Sequence, residues 1–371
     1  MAAFSDSDCA HMARALQLAA RGQYSAHPNP MVGCVIVKNE DVVGEGWHEA
    51  AGNPHAEINA LSKAGEDAHG ATAYVTLEPC AHHGKTPPCV QALIDAGVAR
   101  VIAAMKDPYA EVAGRGLEQL DNAGVVTEVG LMHSAAESLN AGFIARVTRG
   151  RPLVRVKVAA SLDGAIAMKN RESQWITGAK ARDDVQRLRA RSGAIMTGIG
   201  TVLADDPSLN VRLKELATGG RQPLRVVLDS SLRMPLAAGM LTLPGATLIC
   251  STGNHDASAL EAAGAEVYSF GPDGETIDVR EVLEELARRG INDVLVEAGP
   301  GVAGYLLEKD LVDELVIYQA PHIMGSETMG MFSTPSWMAL ADRRALEITD
   351  LRRIGDDMRI TARIRHQGTS D

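Results

Sequence analysis

At 371 residues the chain is longer than one ordinary core needs and fits two domains; 46% hydrophobic and 22% charged residues describe a globular composition and exclude a largely disordered chain. A formal net charge of -11 disfavours a general nucleic-acid or anionic-membrane surface, where like charges repel without a local basic patch, and favours a small-molecule substrate. Five cysteines, Cys9, Cys34, Cys80, Cys89 and Cys250, are too sparse and odd a set for a disulfide framework, which leaves metal binding as the live alternative.

The N-terminal segment 5–14 is polar where a secretory peptide needs a basic start and an apolar run. No stretch approaches the roughly 20 apolar residues of a membrane span, so a cytoplasmic location is expected, with disorder only in the last few residues. Met12, Ala15, Leu16 and Ala19 at helical spacing predict a helix over 8–21. Segments 31–37 and 42–47 are apolar and β-branched around Lys38-Asn39-Glu40-Asp41, the pattern of a hairpin. An alternation follows: helix over 55–63, strand over 71–77, helix over 88–96, strand over 100–104, helix over 117–123, strand over 125–129, and a helix from Ser134. These elements make a layered α/β domain.

Between Arg146 and Pro152 a glycine and a proline stand among three arginines, which places the boundary between domains 1–148 and 149–371 there. Beyond it, strand-like segments at 153–160, 194–197, 224–228, 246–250, 293–297 and 314–319, with helical stretches between several, predict a second α/β domain. No repeat of fixed period and no low-complexity tract interrupts them.

His55-Ala-Glu57 opens a predicted helix, Glu78-Pro79-Cys80 closes a predicted strand, and Cys89 follows after eight intervening residues. One imidazole and two thiolates offer three ligands to Zn²⁺ and leave its fourth tetrahedral position for water, the mark of a catalytic site. The metal lowers the pKa of bound water from about 16 to about 7, so a nucleophile exists at neutral pH, and Glu57 is placed to carry its proton to a ring nitrogen and then to a departing amine. Zinc deaminases carry such a set with their cysteines two residues apart. The longer insertion here is either a substrate loop or a source of a fourth, histidine ligand that would close the site; inert buried cysteines without metal are a further alternative.

His27-Pro-Asn-Pro-Met-Val-Gly-Cys-Val35, His55-Ala-Glu57 and the run from Glu78 to Cys89 resemble the first domain of the bifunctional riboflavin-biosynthesis deaminase-reductases, including the long cysteine gap. The resemblance implies an N-terminal cytidine-deaminase-like three-layer α/β/α domain in which Asn29, His48, His82 and Lys85 bind the ring and phosphate of a phosphorylated pyrimidine. Gly150-Arg-Pro152, Lys157 to Gly164, Trp175-Ile-Thr-Gly178, Gly198 to Pro207 and Val296-Glu-Ala-Gly299 resemble the same family's reductase domain, an α/β fold like dihydrofolate reductase. Ala298 departs from the glycine pair that the family often has after its glutamate.

From residues alone, Gly299-Pro-Gly301-Val-Ala-Gly304 has Gly-x-Gly-x-x-Gly spacing between strand and helix, where amides can cradle a pyrophosphate. The motif comes late in its domain, and the position about 20 residues on, where an acidic ribose ligand would stand, falls near Gln319, so a standard NAD fold is rejected. The resemblance implies NADPH, lined by Ala159, Trp175, Thr201, Asp205 and the loop of Gly299, Gly301 and Gly304. It implies substrate contacts from Ser173, Arg189, Leu209, Arg212 and Glu297. Lys157, Asp205 and Glu297 are the ionisable candidates for catalysis.

Two consecutive reactions are therefore expected: zinc-dependent deamination, then NADPH-dependent reduction of a ribosyl to a ribityl group. The resemblance also implies a homo-oligomer, dimer or tetramer. The rival readings are a tRNA or DNA deaminase with an appended reductase-like binding domain, against which the acidic balance counts, and a non-catalytic zinc- or ligand-binding protein.

Overall fold

A computed structural model describes residues 4–81, 88–109, 112–272, 274–335 and 337–365. The chain forms two compact units, Met1–Gly150 and Arg151–Asp371. The last residues, for which disorder was expected, lie outside the described set.

The strands of the first unit are β1 (Gly33–Lys38), β2 (Asp41–Trp47), β3 (Thr72–Val75), β4 (Arg100–Ala103) and β5 (Val126–Val129). Its helices are α1 (Asp6–Ala19), α2 (Ala56–Ala64), α3 (Cys89–Asp95), α4 (Arg115–Asn122), α5 (His133–Leu139) and α6 (Ala141–Arg149). The sheet runs β2-β1-β3-β4-β5, antiparallel through β1 and parallel from β3 to β5. Because strand side chains alternate, Cys34 and Ile36 of β1 pack with α2, α3 and α4, while Val35 and Val37 pack on α1. The result is the three-layer α/β/α architecture that the resemblance implied.

α1 starts at a capping box in which the Ser5 hydroxyl accepts from the Asp8 N–H and the Asp8 carboxylate accepts from the Ser5 N–H. α2 lies unusually close to the sheet. A Cβ added to Gly44 would meet the Ala60 carbonyl oxygen at 2.3 Å, and one on Gly46 the Ala56 carbonyl oxygen at 2.3 Å. The facing side chains Ala56, Ala60 and Ala64 are equally small. Side-chain volume on either surface would hold the helix off.

The second unit carries β6 (Leu153–Ser161), β7 (Ala165–Ala167), β8 (Ala194–Gly198), β9 (Leu224–Leu228), β10 (Thr247–Ser251), β11 (Ala265–Ser269), β12 (Asp293–Val296), β13 (Glu314–Ala320), β14 (Met329–Gly330), β15 (Leu346–Ile354) and β16 (Asp357–Ile364). Its helices are α7 (Ala179–Arg191), α8 (Ile199–Asp205), α9 (Ser258–Ala262), α10 (Val279–Arg288) and α11 (Pro300–Glu308). The main sheet has nine strands in the order β11-β10-β9-β8-β12-β6-β13-β16-β15. It is parallel as far as β13, and β13, β16 and β15 then pair antiparallel. α10 and α11 cover one face; α7, α8 and α9 cover the other.

Each of the six strands expected here is present. The β15–β16 hairpin was not anticipated, since β15 is largely exposed and mixes Leu346, Ile348 and Leu351 with charged residues, which weakens the hydrophobic pattern. Among the described residues no helix is long and apolar enough to cross a membrane.

The contact between α2 and β2 makes a testable demand. Gly46→Ala should lower unfolding stability by about 1–3 kcal/mol, as overpacking does. Chemical denaturation followed by a probe in the first unit measures it; an unchanged midpoint would contradict so tight an approach.

Candidate active sites of the two units

Pro54 ends the loop after β2, and His55 stands at the N-cap of α2, so Glu57 falls in the first turn of that helix. Cys80 follows the exit of β3, and Cys89 is the first residue of α3. These chain ends converge. His55 Nδ1 lies 3.2 Å from Cys89 Sγ and 3.6 Å from Cys80 Sγ, and the three ligand atoms all lie within 4.8 Å of one another. A tetrahedral zinc with Zn–N near 2.0 Å and Zn–S near 2.3 Å needs N···S edges of about 3.5 Å, so the donor set and its spacing suit that ion.

The Cys89 N–H points at Cys80 Sγ at 3.4 Å. Hydrogen bonding with Cys89, opposed by burial and reinforced by His55, pulls the Cys80 thiol below its ordinary range; the same pairing and burial push Cys89 up, so Cys80 gives up the first proton. Glu57 is 3% exposed. Burial, with the Cys80 charge adding to it, raises its carboxyl to about 7, a range in which a carboxylate both takes and returns protons near neutrality.

Asn29 and His48 join this cluster. Asn29 Nδ2 is 3.0 Å from His48 Nε2, and His48 Nδ1 is 3.3 Å from the Pro54 carbonyl oxygen. The His48 ring meets the His55 ring edge to face at 5.4 Å. Burial lowers the His48 pKa, which favours neutral imidazole with Nδ1 donating to Pro54 and Nε2 accepting from Asn29. His82 and Lys85 lie outside the described residues.

In the second unit, Lys157 and Ala159 of β6 and Glu297, just past β12, share the sheet face covered by α7, and strand register carries Glu297 alongside Lys157. Arg189 of α7 grips Glu297 with two hydrogen bonds, Nε to Oε1 at 2.6 Å and Nη2 to Oε2 at 3.0 Å, and Lys157 Nζ is 4.0 Å from Oε2. Burial alone would raise the Glu297 carboxyl, but the Arg189 charge and hydrogen bonds, with Lys157 and Arg212, hold it below the usual range. Burial lowers the Lys157 pKa against the pull of Glu297, which makes its ammonium a readier proton donor.

Leu209 is buried with φ +44°, a left-handed backbone that a non-glycine residue adopts only under constraint, in the segment whose Asn210 carbonyl accepts from Arg189. Arg212 is exposed and donates to Asn210 Oδ1 at 2.9 Å. Asp205 is exposed at the end of α8, and no contact in the structure joins it to Lys157 or Glu297. Ser173 is half-buried in the loop before Trp175, whose ring is 70% exposed with the Arg182 guanidinium 4.6 Å above it.

A family model described as "Cytidine and deoxycytidylate deaminase zinc-binding region" matches residues 5–105, and one described as "RibD C-terminal domain" matches residues 152–360. The riboflavin biosynthesis protein RibD of Haemophilus influenzae is 46% identical over 97% of this chain and 98% of its own length. The chain belongs to the RibD family. An Acinetobacter baumannii RibD structure superposes with a TM-score of 0.91 at 42% identity over 97% of this chain and 99% of that one. A Thermotoga maritima structure described as a diaminohydroxyphosphoribosylaminopyrimidine deaminase and 5-amino-6-(5-phosphoribosylamino)uracil reductase has a TM-score of 0.85 at 33% identity, covering 97% and 99%. As a RibD, this chain is a bifunctional riboflavin-biosynthesis enzyme, with a zinc-binding deaminase domain and a reductase domain.

The start of α8, directly after β8, and the segment after β12 are neighbours at the C-terminal edge of the parallel strands, where α/β sheets bind ligands. The Gly299 N–H donates to the Thr201 hydroxyl at 3.2 Å, and a Cβ on Gly301 would enter open space. Gly301, exposed in the first turn of α11 and without a side chain, leaves that helix start open to an anion such as a dinucleotide pyrophosphate. Gly304 answers to packing instead: its Cβ would meet the Ser333 carbonyl oxygen at 1.9 Å.

Sequence reasoning missed the amides that frame both sites. Asn140 accepts from the Met31 N–H at 2.8 Å and donates to the Met31 carbonyl oxygen at 2.9 Å, which fixes the segment carrying Asn29 from 109 residues away. Gln186 accepts from the Arg212 N–H, and Gln222 bonds both the N–H and the carbonyl of Val211. An isolated amide residue has no local signal to reveal such a partner.

The Arg189–Glu297 pair sets an acid response. A carboxyl held below its ordinary value contributes stability fully above the unfolded value, near 4.3, and loses it as pH falls through the depressed one. Glu297→Gln should therefore be less stable at neutral pH, because Arg189 is left unpaired, and lose less of its remaining stability than wild type on acidification. Parallel wild-type and variant curves of unfolding free energy against pH would contradict the pairing.

Proposed function

We propose that residues 1–148 deaminate 2,5-diamino-6-ribosylamino-4(3H)-pyrimidinone 5′-phosphate and that residues 149–371 reduce 5-amino-6-(5-phosphoribosylamino)uracil to its ribityl form with NADPH. The observation that carries the reading is the triangle of His55, Cys80 and Cys89 beside buried Glu57, in one chain with a RibD reductase domain. The Thermotoga maritima relative described above, 33% identical, names this pair of reactions.

His55, Cys80 and Cys89 are the residues to hold zinc, which when bound makes a water acidic enough to react near neutral pH. Glu57 takes a proton from the attacking water and passes it to the ring nitrogen, so that the ring carbon bearing the amine becomes tetrahedral. Glu57 then moves the second proton to the amine, the C–N bond breaks and ammonia leaves. Asn29 and neutral His48 orient the ring; His82 and Lys85 complete the substrate contacts.

In the reductase unit NADPH, when bound, supplies a hydride. Ala159, Trp175, Thr201, Asp205 and the segment of Gly299 and Gly301 would hold the cofactor, with Gly304 keeping α11 packed. Arg189 holds Glu297 in one orientation, and Lys157, its charge balanced by Glu297, donates the proton that opens the ribosylamine. Ser173, Arg212 and the Leu209 backbone meet the phosphorylated substrate, where arginine suits a phosphate.

The acidic charge and the small buried deaminase cluster favour a free nucleotide over tRNA or DNA. A cytoplasmic location accords with these substrates. Self-association as a dimer or tetramer is supported by β15, an edge strand exposing Ile348 and Leu351 at 61% and 59%.

Glu57→Gln should retain zinc, lose deamination by at least about a hundredfold, and still reduce preformed uracil product at the wild-type rate. Ammonia release and NADPH oxidation, assayed separately, measure both halves; normal ammonia release would remove Glu57 from the mechanism. Saturating NADPH should also raise the melting temperature, and the absence of any shift would count against the cofactor assignment.

A further inference from the structure

Glu78 lies two residues before Cys80, is 5% exposed, and makes no ion pair among the described residues. Its carboxylate is spent on backbone. Oε2 accepts from the N–H groups of Asp107 at 3.0 Å and Gly114 at 2.9 Å, and Oε1 from those of Gly116 at 2.8 Å and Leu117 at 3.4 Å. Three of these donors belong to the first turn of α4 or its cap, where N–H groups have no partner within the helix. Glu78 thus supplies, from the segment after β3, the cap that Gly114 cannot.

The same contact reaches Cys80. A Cβ on Gly116 would stand 2.1 Å from the Pro79 carbonyl oxygen, so the start of α4 abuts the peptide immediately before Cys80. The Glu78 N–H donates to the Met105 carbonyl at 3.0 Å, fixing the backbone of the anchor itself. On its other side Cys80 is held by α3, through the Cys89 N–H to its sulfur at 3.4 Å and the Val90 N–H to its carbonyl at 3.3 Å. Cys80 is gripped between two helix starts, and Glu78 makes one of the grips.

We infer that Glu78 is a positioning residue that sets Cys80 in place for the metal by tying β3 to the start of α4. The inference rests on the proposed reading of Cys80 as a ligand. A carboxylate is required because its two oxygens face four N–H donors; a glutamine would turn an NH₂ group toward some of them and leave buried donors unsatisfied.

The test uses the full chain loaded with cobalt or zinc. Cobalt-loaded wild type should show thiolate-to-metal charge transfer that Cys80→Ser diminishes; if it does not, the ligand reading falls and this inference with it. Given that band, Glu78→Gln should shift the cobalt absorption, weaken zinc about tenfold or more in chelator competition, as loss of an orienting partner does, and lower deaminase kcat more than it changes KM. Gly116→Ala, which pushes the same carbonyl and keeps the carboxylate, should shift the cobalt bands as well. Wild-type spectra and zinc affinity in a folded Glu78→Gln chain would mean a purely structural anchor and overturn the inference. Should both variants fail to fold, the wild type decides: coupling is reciprocal, so removing zinc must speed amide exchange at Gly114, Gly116 and Leu117, and unchanged exchange there would overturn it.

Discussion

The deaminase site depends on how closely α2 can lie against β2. His55 and Glu57 travel on that helix, while Cys80 and Cys89 arrive from β3 and α3. Gly44 and Gly46, facing Ala56 and Ala60, let helix backbone rest on strand backbone, so His55 Nδ1 reaches within 3.6 Å of both sulfurs. A methyl group at either glycine would displace the helix by a sizeable part of a zinc–ligand bond. The chemistry at the metal is therefore set by residues that carry no chemistry of their own.

The reductase unit solves a different problem, that of keeping a carboxylate charged inside a protein. Only 11% of the Glu297 side chain is exposed; desolvation works against its charge, and Arg189 first, with Lys157 and Arg212, outweighs it. The bidentate grip fixes its orientation as well as its charge, leaving Lys157 at 4.0 Å on the open side. Strand register brings the pair together, and the parallel strands end beside Thr201 at the start of α8 and Gly299 at the start of α11. In both units a helix resting on the sheet delivers the group that must be held, and the ends of strands supply its partners.

Residues whose chemistry and spacing speak locally were legible in the sequence. His55-Ala-Glu57 and the paired cysteines announce a metal and a proton carrier, and six of the seven parallel strands of the second unit announce themselves as apolar runs. The resemblance added Asn29, His48 and Arg189, which periodicity alone would have left as a turn residue, a loop histidine and one arginine of a solvated face. Asn140, Gln186, Gln222 and Glu78 stayed hidden, because each acts by hydrogen-bonding backbone 11 to 109 residues away, and a side chain bonded to backbone imposes no residue type on its partner. The β15–β16 hairpin was hidden for another reason: an exposed edge strand lacks the strict alternation that one buried face imposes.

Deamination by this chain requires a metal held by three side chains with its fourth corner free for water. X-ray absorption at the zinc edge of the purified enzyme should show two sulfurs near 2.3 Å, one imidazole near 2.0 Å and one further oxygen that belongs to no side chain. A second imidazole filling that corner, or a protein that binds no zinc, would contradict it.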